Sequence, residues 1–222
     1  MVKMNHPKPT NYVLLGPPGS GKSTQAKLLK VKHDLTHIEI GSELRRLAES
    51  GTELGRTVHE IINIRKELVP DGLIDDVLEQ VLKTIPHLIG ILLDGAPRKL
   101  SQIKEVEHAF SLHDRVIDRV IFLDISEDVA IERISTRWLC QECKAPYIGS
   151  HEMIESLGPC SVCGGTLGQR ADDTPEGVAK RYEVFTKETQ PVIEHYEKKG
   201  KLIRINAELD PKEIATLIEQ SL

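Results

Sequence analysis

The chain has 222 residues, 39% hydrophobic and 28% charged, with a formal net charge of −5. These are the figures of an ordinary folded domain with room for insertions, and they argue against a disordered chain or a nucleic-acid binder. The longest apolar run, Leu88 to Leu93, is far short of a membrane span, and the stretch from Met1 to Thr10 is polar and lacks the apolar core of a signal peptide. A cytoplasmic protein, monomeric and without nucleic-acid or membrane partners, is expected.

Tyr12-Val13-Leu14-Leu15 reads as a buried strand and Gln25 to Lys30 as a helix, within a unit of about 11–32. Between them lies Gly16-Pro17-Pro18-Gly19-Ser20-Gly21-Lys22-Ser23-Thr24, the form G-x-x-x-x-G-K-[ST] in its strand–turn–helix setting. Its glycines let the backbone curl round a polyphosphate with N–H groups inward. The helix N-terminus and Lys22 supply positive charge, and a hydroxyl of Ser23 or Thr24 can reach magnesium. The motif implies binding of a nucleoside triphosphate.

A short strand, Leu35 to Ile40, leads to Gly41, and Ser42 is expected to cap the helix that follows. A second helical pattern runs through Leu54, Val58, Ile61, Ile62 and Ile64. No strand separates the two, so residues 41–70 read as a helical insertion outside the sheet. Pro70 and Asp71 open another helix, carrying Leu73, Ile74, Val77, Leu78 and Val81. Leu88 to Asp94 reads as a central strand ending in a carboxylate, where magnesium needs one beside the phosphates, and Gly95-Ala96-Pro97-Arg98 follows. Val116 to Asp124 reads as a strand and Glu127 to Arg137 as a helix with Arg133 and Arg137 on one face. After a break over 138–170 come one long helix from Pro175 to Lys199, a strand from Leu202 to Asn206 and a helix from Pro211 to Ser221. The alternation predicts an α/β fold with a parallel sheet.

The four cysteines all lie in the break, as Cys140-x2-Cys143 and Cys160-x2-Cys163. Disulfides fit a cytosolic protein poorly, and an iron–sulfur cluster lacks any accompanying redox motif. The spacing points to structural zinc, with Gly164-Gly165 suited to a knuckle turn. Four thiolates close the coordination sphere, so such a zinc holds a small lobe together and does no chemistry. His151, between the pairs, reads as a surface residue. Arg45, Arg98, Arg133, Arg137, Arg170 and Arg181 stand at element ends or beside breaks. Their planar forks suit phosphate, and they outnumber the needs of one triphosphate, which implies a second phosphorylated substrate.

With these motifs in this order, the chain resembles the adenylate kinase family, in its members with a zinc-bearing lid. The resemblance spans nearly the whole chain. It rests on Gly16 to Thr24, Gly41 with Leu44-Arg45, Leu68-Val69-Pro70-Asp71, Asp94 to Arg98 with Gln102, Glu132-Arg133 with Arg137, the cysteines, and Gln169 to Asp173 leading to Arg181. It implies a P-loop nucleoside monophosphate kinase fold: a parallel-sheet core (1–40, 71–133 and 171–222), a helical NMP-binding insertion (41–70) and a zinc-bearing lid (134–170).

By that resemblance Gly19, Ser20, Gly21, Lys22, Ser23 and Thr24 hold ATP, Arg133 lies against its adenine, and Arg137, Arg170 and Arg181 gather round the transferring phosphoryl group. Gly41, Arg45, Val69, Gly95, Arg98 and Gln102, with Arg170 and Arg181, line the AMP site. There Arg45 and Arg98 hold the phosphate and Gln102 reads the base. Asp94 positions magnesium through water, and Asp172 and Asp173 orient lid arginines. Lys22, Arg98, Arg137, Arg170 and Arg181 form the catalytic set. The expected activity is ATP + AMP ⇌ 2 ADP with Mg2+ and a structural Zn2+. A kinase for another nucleoside monophosphate and a catalytically weak nucleotide-binding protein are the alternatives. The chain departs from the family's usual pattern at Ser23 (for Gly), Ile40 and Ser42 (for Thr and Asp), Ala96 (for Phe) and Trp138 (for a second Arg).

Overall fold

The computed structural model describes residues 9–65, 69–170 and 173–222. Five strands form a wholly parallel sheet: β1 (Asn11–Leu15), β2 (Thr36–Glu39), β3 (Ile91–Asp94), β4 (Arg119–Asp124) and β8 (Leu202–Asn206), in the spatial order β2-β3-β1-β4-β8. Both faces are covered by helices, which is why the strands read as continuous apolar runs. Alternate residues feed opposite cores. Val13, Leu15, Ile91 and Leu93 join Phe110, Val192 and Tyr196 on one face, while Tyr12, Leu14 and Leu92 join Leu29, Ile214 and Ile218 on the other. The chain leaves β1 with neighbours reached by crossovers in both directions, so the sheet reverses its winding at the end of β1. That is where open α/β sheets place ligands.

The helices are α1 (Lys22–His33), α2 (Ile40–Ala48), α3 (Glu53–His59, continued by a π-helical turn, Glu60–Arg65), α4 (Asp71–Leu82), α5 (Leu100–Ser111), α6 (Glu127–Ser135), α7 (His151–Leu157), α8 (Pro175–Glu188), α9 (Gln190–Lys198) and α10 (Pro211–Ser221). Residues 40–65 form helices joined by a turn at 49–52 and contribute no strand. A second, antiparallel sheet comprises β5 (Arg137–Cys140), β6 (Pro146–Ile148) and β7 (Leu167–Gly168), in the order β6-β5-β7. It carries the cysteines.

Several expected boundaries move. The strand begins at Ile91, not Leu88, because the carbonyls before it are otherwise engaged. The buried guanidinium of Arg115 donates to Pro86 O at 2.8 Å and to Ile89 O at 2.7 Å, folding the segment into a turn. The strand expected from Val116 likewise starts at Arg119, after Val116 O has accepted from Asn11 Nδ2 at 3.0 Å. Ser42 does not cap α2. That helix starts at Ile40 with Glu39 at its N-cap, and Ser42 lies inside the first turn. The helix expected to reach Arg137 stops at Ser135, and Arg137 opens β5, so Arg133 and Arg137 do not share a helix face.

The long helix expected from Pro175 is two, parted at Thr189. Pro191 lies in the first turn of α9, where its missing N–H costs nothing, and the Thr189 hydroxyl donates to Arg98 O at 3.0 Å.

Candidate active site

The phosphate loop joins β1 to α1 at the carboxyl edge of the sheet. Gly19 and Gly21 take φ of 79° and 85°, a region that penalises any side chain. A Cβ on Gly16 would lie 2.4 Å from Ser20 Oγ and 2.9 Å from Leu123 O, so the loop is seated directly on β4. Lys22 folds back over the loop, its ammonium donating to Gly16 O at 2.7 Å and Pro17 O at 2.9 Å. Burial lowers this group to about 8, and the nearby Arg98 and Arg137 guanidiniums push the same way against the opposing charge of Asp94. Four of the expected site residues thus lie within electrostatic reach of one another. Ser23 and Thr24 are exposed at the start of α1, and Ser20 is buried.

Asp94, at the end of β3, is 5% exposed, and its Oδ2 lies 3.7 Å from His37 Nε2. The next residues turn the chain towards α5. Gly95 has φ 92°, and a Cβ there would lie 3.4 Å from Arg98 Nη2 and 3.8 Å from Ile40 Cβ. Arg98 is held along its backbone and side chain. Its N–H donates to the buried Gln102 Oε1 at 2.7 Å, its carbonyl accepts from Thr189, and its Nε donates to Gly95 O at 2.9 Å. Across the register from Asp94 stands Glu39, and α2 follows with Gly41 and Arg45. A Cβ on Gly41 would lie 3.4 Å from Arg45 Nη1, so each of these two guanidiniums lies against a glycine, Gly95 after β3 and Gly41 in the first turn of α2. Ile40 and Ala96 are both buried in the apolar cluster under α2, and Val69 packs against the same cluster.

A single carboxylate gathers two more of the arginines. Asp173, its side chain wholly buried, accepts from Arg137 Nη2 at 2.8 and 3.0 Å and from Arg181 Nη2 at 2.9 Å. Arg133, in the last turn of α6, instead donates to Ala207 O at 2.7 Å, beside the loop from β8 to α10. Arg170 is exposed and makes no side-chain hydrogen bond or ion pair among the described residues. Leu68 and Asp172 lie outside the described residues.

The four cysteine sulfurs lie within 4.8 Å of one another. Cys140 and Cys163 are 3.4 Å apart and Cys143 and Cys160 3.6 Å, too far for disulfides and near the edge of about 3.8 Å that a tetrahedral zinc thiolate site requires. Each pair sits on a matching turn: Lys144 N donates to Cys140 O and Gly164 N to Cys160 O, with Lys144 and Gly164 both at positive φ. Backbone amides of Cys143 and Val162 point at sulfur, and Tyr147 Oη donates to Cys160 Sγ at 3.2 Å. The donor set fits zinc. Trp138, next to Arg137 on β5, points to the opposite side of that strand, packing edge-on against His151 at 5.3 Å, with Nε1 donating to Gly149 O. His151 is exposed, as expected.

Sequence reasoning missed Thr189, Lys144, Tyr147 and Glu39. Thr189 had a usable signal in the proline two residues later; the others had none that local pattern could supply.

A glycine loop between a parallel strand and a helix, with a buried aspartate and convergent arginines at the same sheet edge, defines a P-loop phosphotransferase. The comparisons narrow the class. The family model described as adenylate kinase matches residues 14–201. An adenylate kinase of Dehalococcoides mccartyi (strain 195) is 39% identical over 96% of this chain and 97% of its own. That of Thermosipho africanus is 39% identical over 95% and 100%, and that of Listeria monocytogenes serotype 4a is 37% identical over 95% and 97%. The chain belongs to the adenylate kinase family, and is a nucleoside monophosphate kinase.

Proposed function

We propose that the protein transfers the terminal phosphoryl group of ATP to AMP, giving two ADP. The observation that carries this reading is the convergence of Lys22, Asp94, Arg98 and Arg137 at one edge of the sheet. An acceptor phosphate oxygen attacks the γ-phosphorus as the bond to the β–γ bridging oxygen breaks. The acceptor is already an anion, so no general base is required. Catalysis is alignment plus neutralisation of charge.

In this reading the loop amides of Gly19 to Thr24 and Lys22 hold the ATP phosphates, and Arg133 flanks the adenine. Arg137, Arg170 and Arg181 surround the transferring group. Arg45 and Arg98 grip the acceptor phosphate, with Gly41, Val69, Gly95 and Gln102 lining the rest of its pocket. Asp94 would hold magnesium through water, and the ion would supply neutralisation of the phosphate charge. Cys140, Cys143, Cys160 and Cys163 would hold zinc with no open position. Residues 41–70 and 134–170 then act as an acceptor-binding insertion and a lid on the core, in a monomeric cytoplasmic enzyme.

A second reading, another monophosphate as acceptor, is favoured only by the buried apolar side chains of Ile40 and Ala96 at the acceptor end. A coupled assay of ADP formation from ATP with AMP, CMP, UMP or GMP tests both. The reading requires AMP to give the highest kcat/KM. Preference for another base would replace it, and absence of turnover with all four would leave a binding protein.

Arg98→Ala is expected to raise KM for AMP more than KM for ATP, and to lower turnover as the acceptor phosphate loses alignment. Initial-rate kinetics with each nucleotide varied in turn checks this. A defect confined to ATP would reverse the assignment of the two nucleotides.

Residues 138–170 have few large apolar side chains, and Ile148, Met153, Leu157 and Val162 among them are exposed. Such a segment buries too little to offset its ordering entropy, and metal binding supplies the difference. Cys160→Ser is therefore expected to lower the thermal midpoint and open residues 138–170 to protease while the parallel sheet stays folded. Elemental analysis should find about one zinc per chain. A metal-free protein with unaltered melting would exclude the assignment.

A further inference from the structure

The arginine assigned to the acceptor phosphate already has an anionic neighbour. Arg45 Nη2 donates to Ser42 Oγ at 2.9 Å, and that hydroxyl donates to Glu39 Oε2 at 2.7 Å. The other Glu39 oxygen lies 3.9 Å from the same guanidinium nitrogen. Glu39 ends β2 directly beside Asp94, and Arg45 follows it by less than two helical turns, so the contact sits at the rim of the sheet edge that carries the phosphate loop. Arg45 and Glu39 side chains are 63% and 47% exposed, and an incoming anion can reach the pair without disturbing the core.

We propose that Glu39 is an internal rival of the acceptor phosphate for Arg45, and so sets how tightly the acceptor binds. The inference rests on the reading of Arg45 as an acceptor-phosphate ligand. In the free protein the carboxylate, relayed by the Ser42 hydroxyl, holds Arg45 over Gly41. A phosphate dianion offers the guanidinium more charge and a bidentate partner, and displaces it. Each binding event must break the resting contact, and the displaced carboxylate then stands close to the arriving phosphate and repels it. Both effects weaken acceptor binding and leave the ATP side untouched. An acceptor lacking the dianion cannot complete the exchange, so Glu39 sharpens selection for a phosphate as it lowers affinity.

The test uses the full-length enzyme and steady-state kinetics with AMP and ATP varied separately, in Glu39→Gln, Arg45→Ala and the double variant. Glu39→Gln keeps the side-chain shape and removes only the charge. It should lower KM for AMP roughly three- to tenfold, the scale of a contact between exposed charges together with the lost repulsion, while KM for ATP holds within about twofold. The wild-type to variant ratio should fall towards one as salt is raised. In the Arg45→Ala background most of the gain should vanish, since the rivalry has lost its object. An unchanged or higher KM for AMP in Glu39→Gln, or an undiminished gain in the double variant, would overturn the proposal while the acceptor site stood. If Arg45→Ala alone left KM for AMP unchanged, the acceptor reading would fail and the proposal with it.

Discussion

Lys22→Ala is expected to lower turnover about 100- to 1,000-fold, a loss of roughly 3–4 kcal/mol of transition-state stabilisation. The ammonium is the one full charge on the phosphate loop itself, and it already lies over the loop carbonyls of Gly16 and Pro17. A triphosphate would draw it from those carbonyls onto oxygens that gain charge as the reaction proceeds. Losing the carbonyl contacts costs about 1 kcal/mol in the free protein. The fold and the melting temperature should therefore survive.

The same group sets a pH dependence. In the free protein burial brings Lys22 down to about 8, whereas a bound polyphosphate raises it, so ATP binding takes up a proton where the free amine is partly neutral. Affinity for ATP should fall as pH rises through about 8, and Lys22→Ala should abolish that dependence. Rapid-quench turnover, circular dichroism and calorimetry in buffers of different ionisation enthalpy measure the three effects. Wild-type turnover in a folded Lys22→Ala protein would refute the role.

Asp173→Ala is the second large effect. It should cost roughly 2–3 kcal/mol of stability, less than a wholly buried pair because Arg137 and Arg181 are 27% and 30% exposed. The loss comes mainly from what remains: two guanidiniums brought close by one carboxylate, with Arg137 Nε already buried and unpartnered. Freed of the carboxylate, the two arginines repel each other, and turnover should drop with stability. Asp173→Asn keeps the shape and an accepting oxygen and should fall between wild type and alanine on both measures. Denaturant titration and kcat on the same preparations check the order. Equal melting and turnover for Asp173→Ala and wild type would show that the carboxylate neither holds nor aims the arginines.

What could be read in advance follows a physical division. The phosphate loop, the cysteine pairs and the sheet strands are specified within a few residues, by glycine conformations, ligand spacing and apolar runs. Arg137 could not be placed that way, because the amphipathic pattern of α6 runs on past Ser135 and only the partners of β5 draw the chain out of helix. Thr189 splits a helix to bind a carbonyl 91 positions away. Arg115 shortens a strand by claiming carbonyls from another turn. Glu39 gains its partner only because α2 brings Arg45 round beside it. Arg115 and Thr189 are long-range partners overriding a local preference.

Trp138 is the chain's single tryptophan. Light absorbed at the red edge of the protein's near-ultraviolet band is therefore taken up by an indole in the small sheet and by no other residue. The imidazole of His151 lies edge-on at 5.3 Å, close enough for its protonated form to quench the excited ring. Emission thus reports on residues 137–168 alone, unlabelled, while circular dichroism reports on the rest. On the proposed zinc assignment, a chelator should shift the emission to longer wavelength before any ellipticity is lost, so that one cuvette follows the small sheet coming apart ahead of the large one.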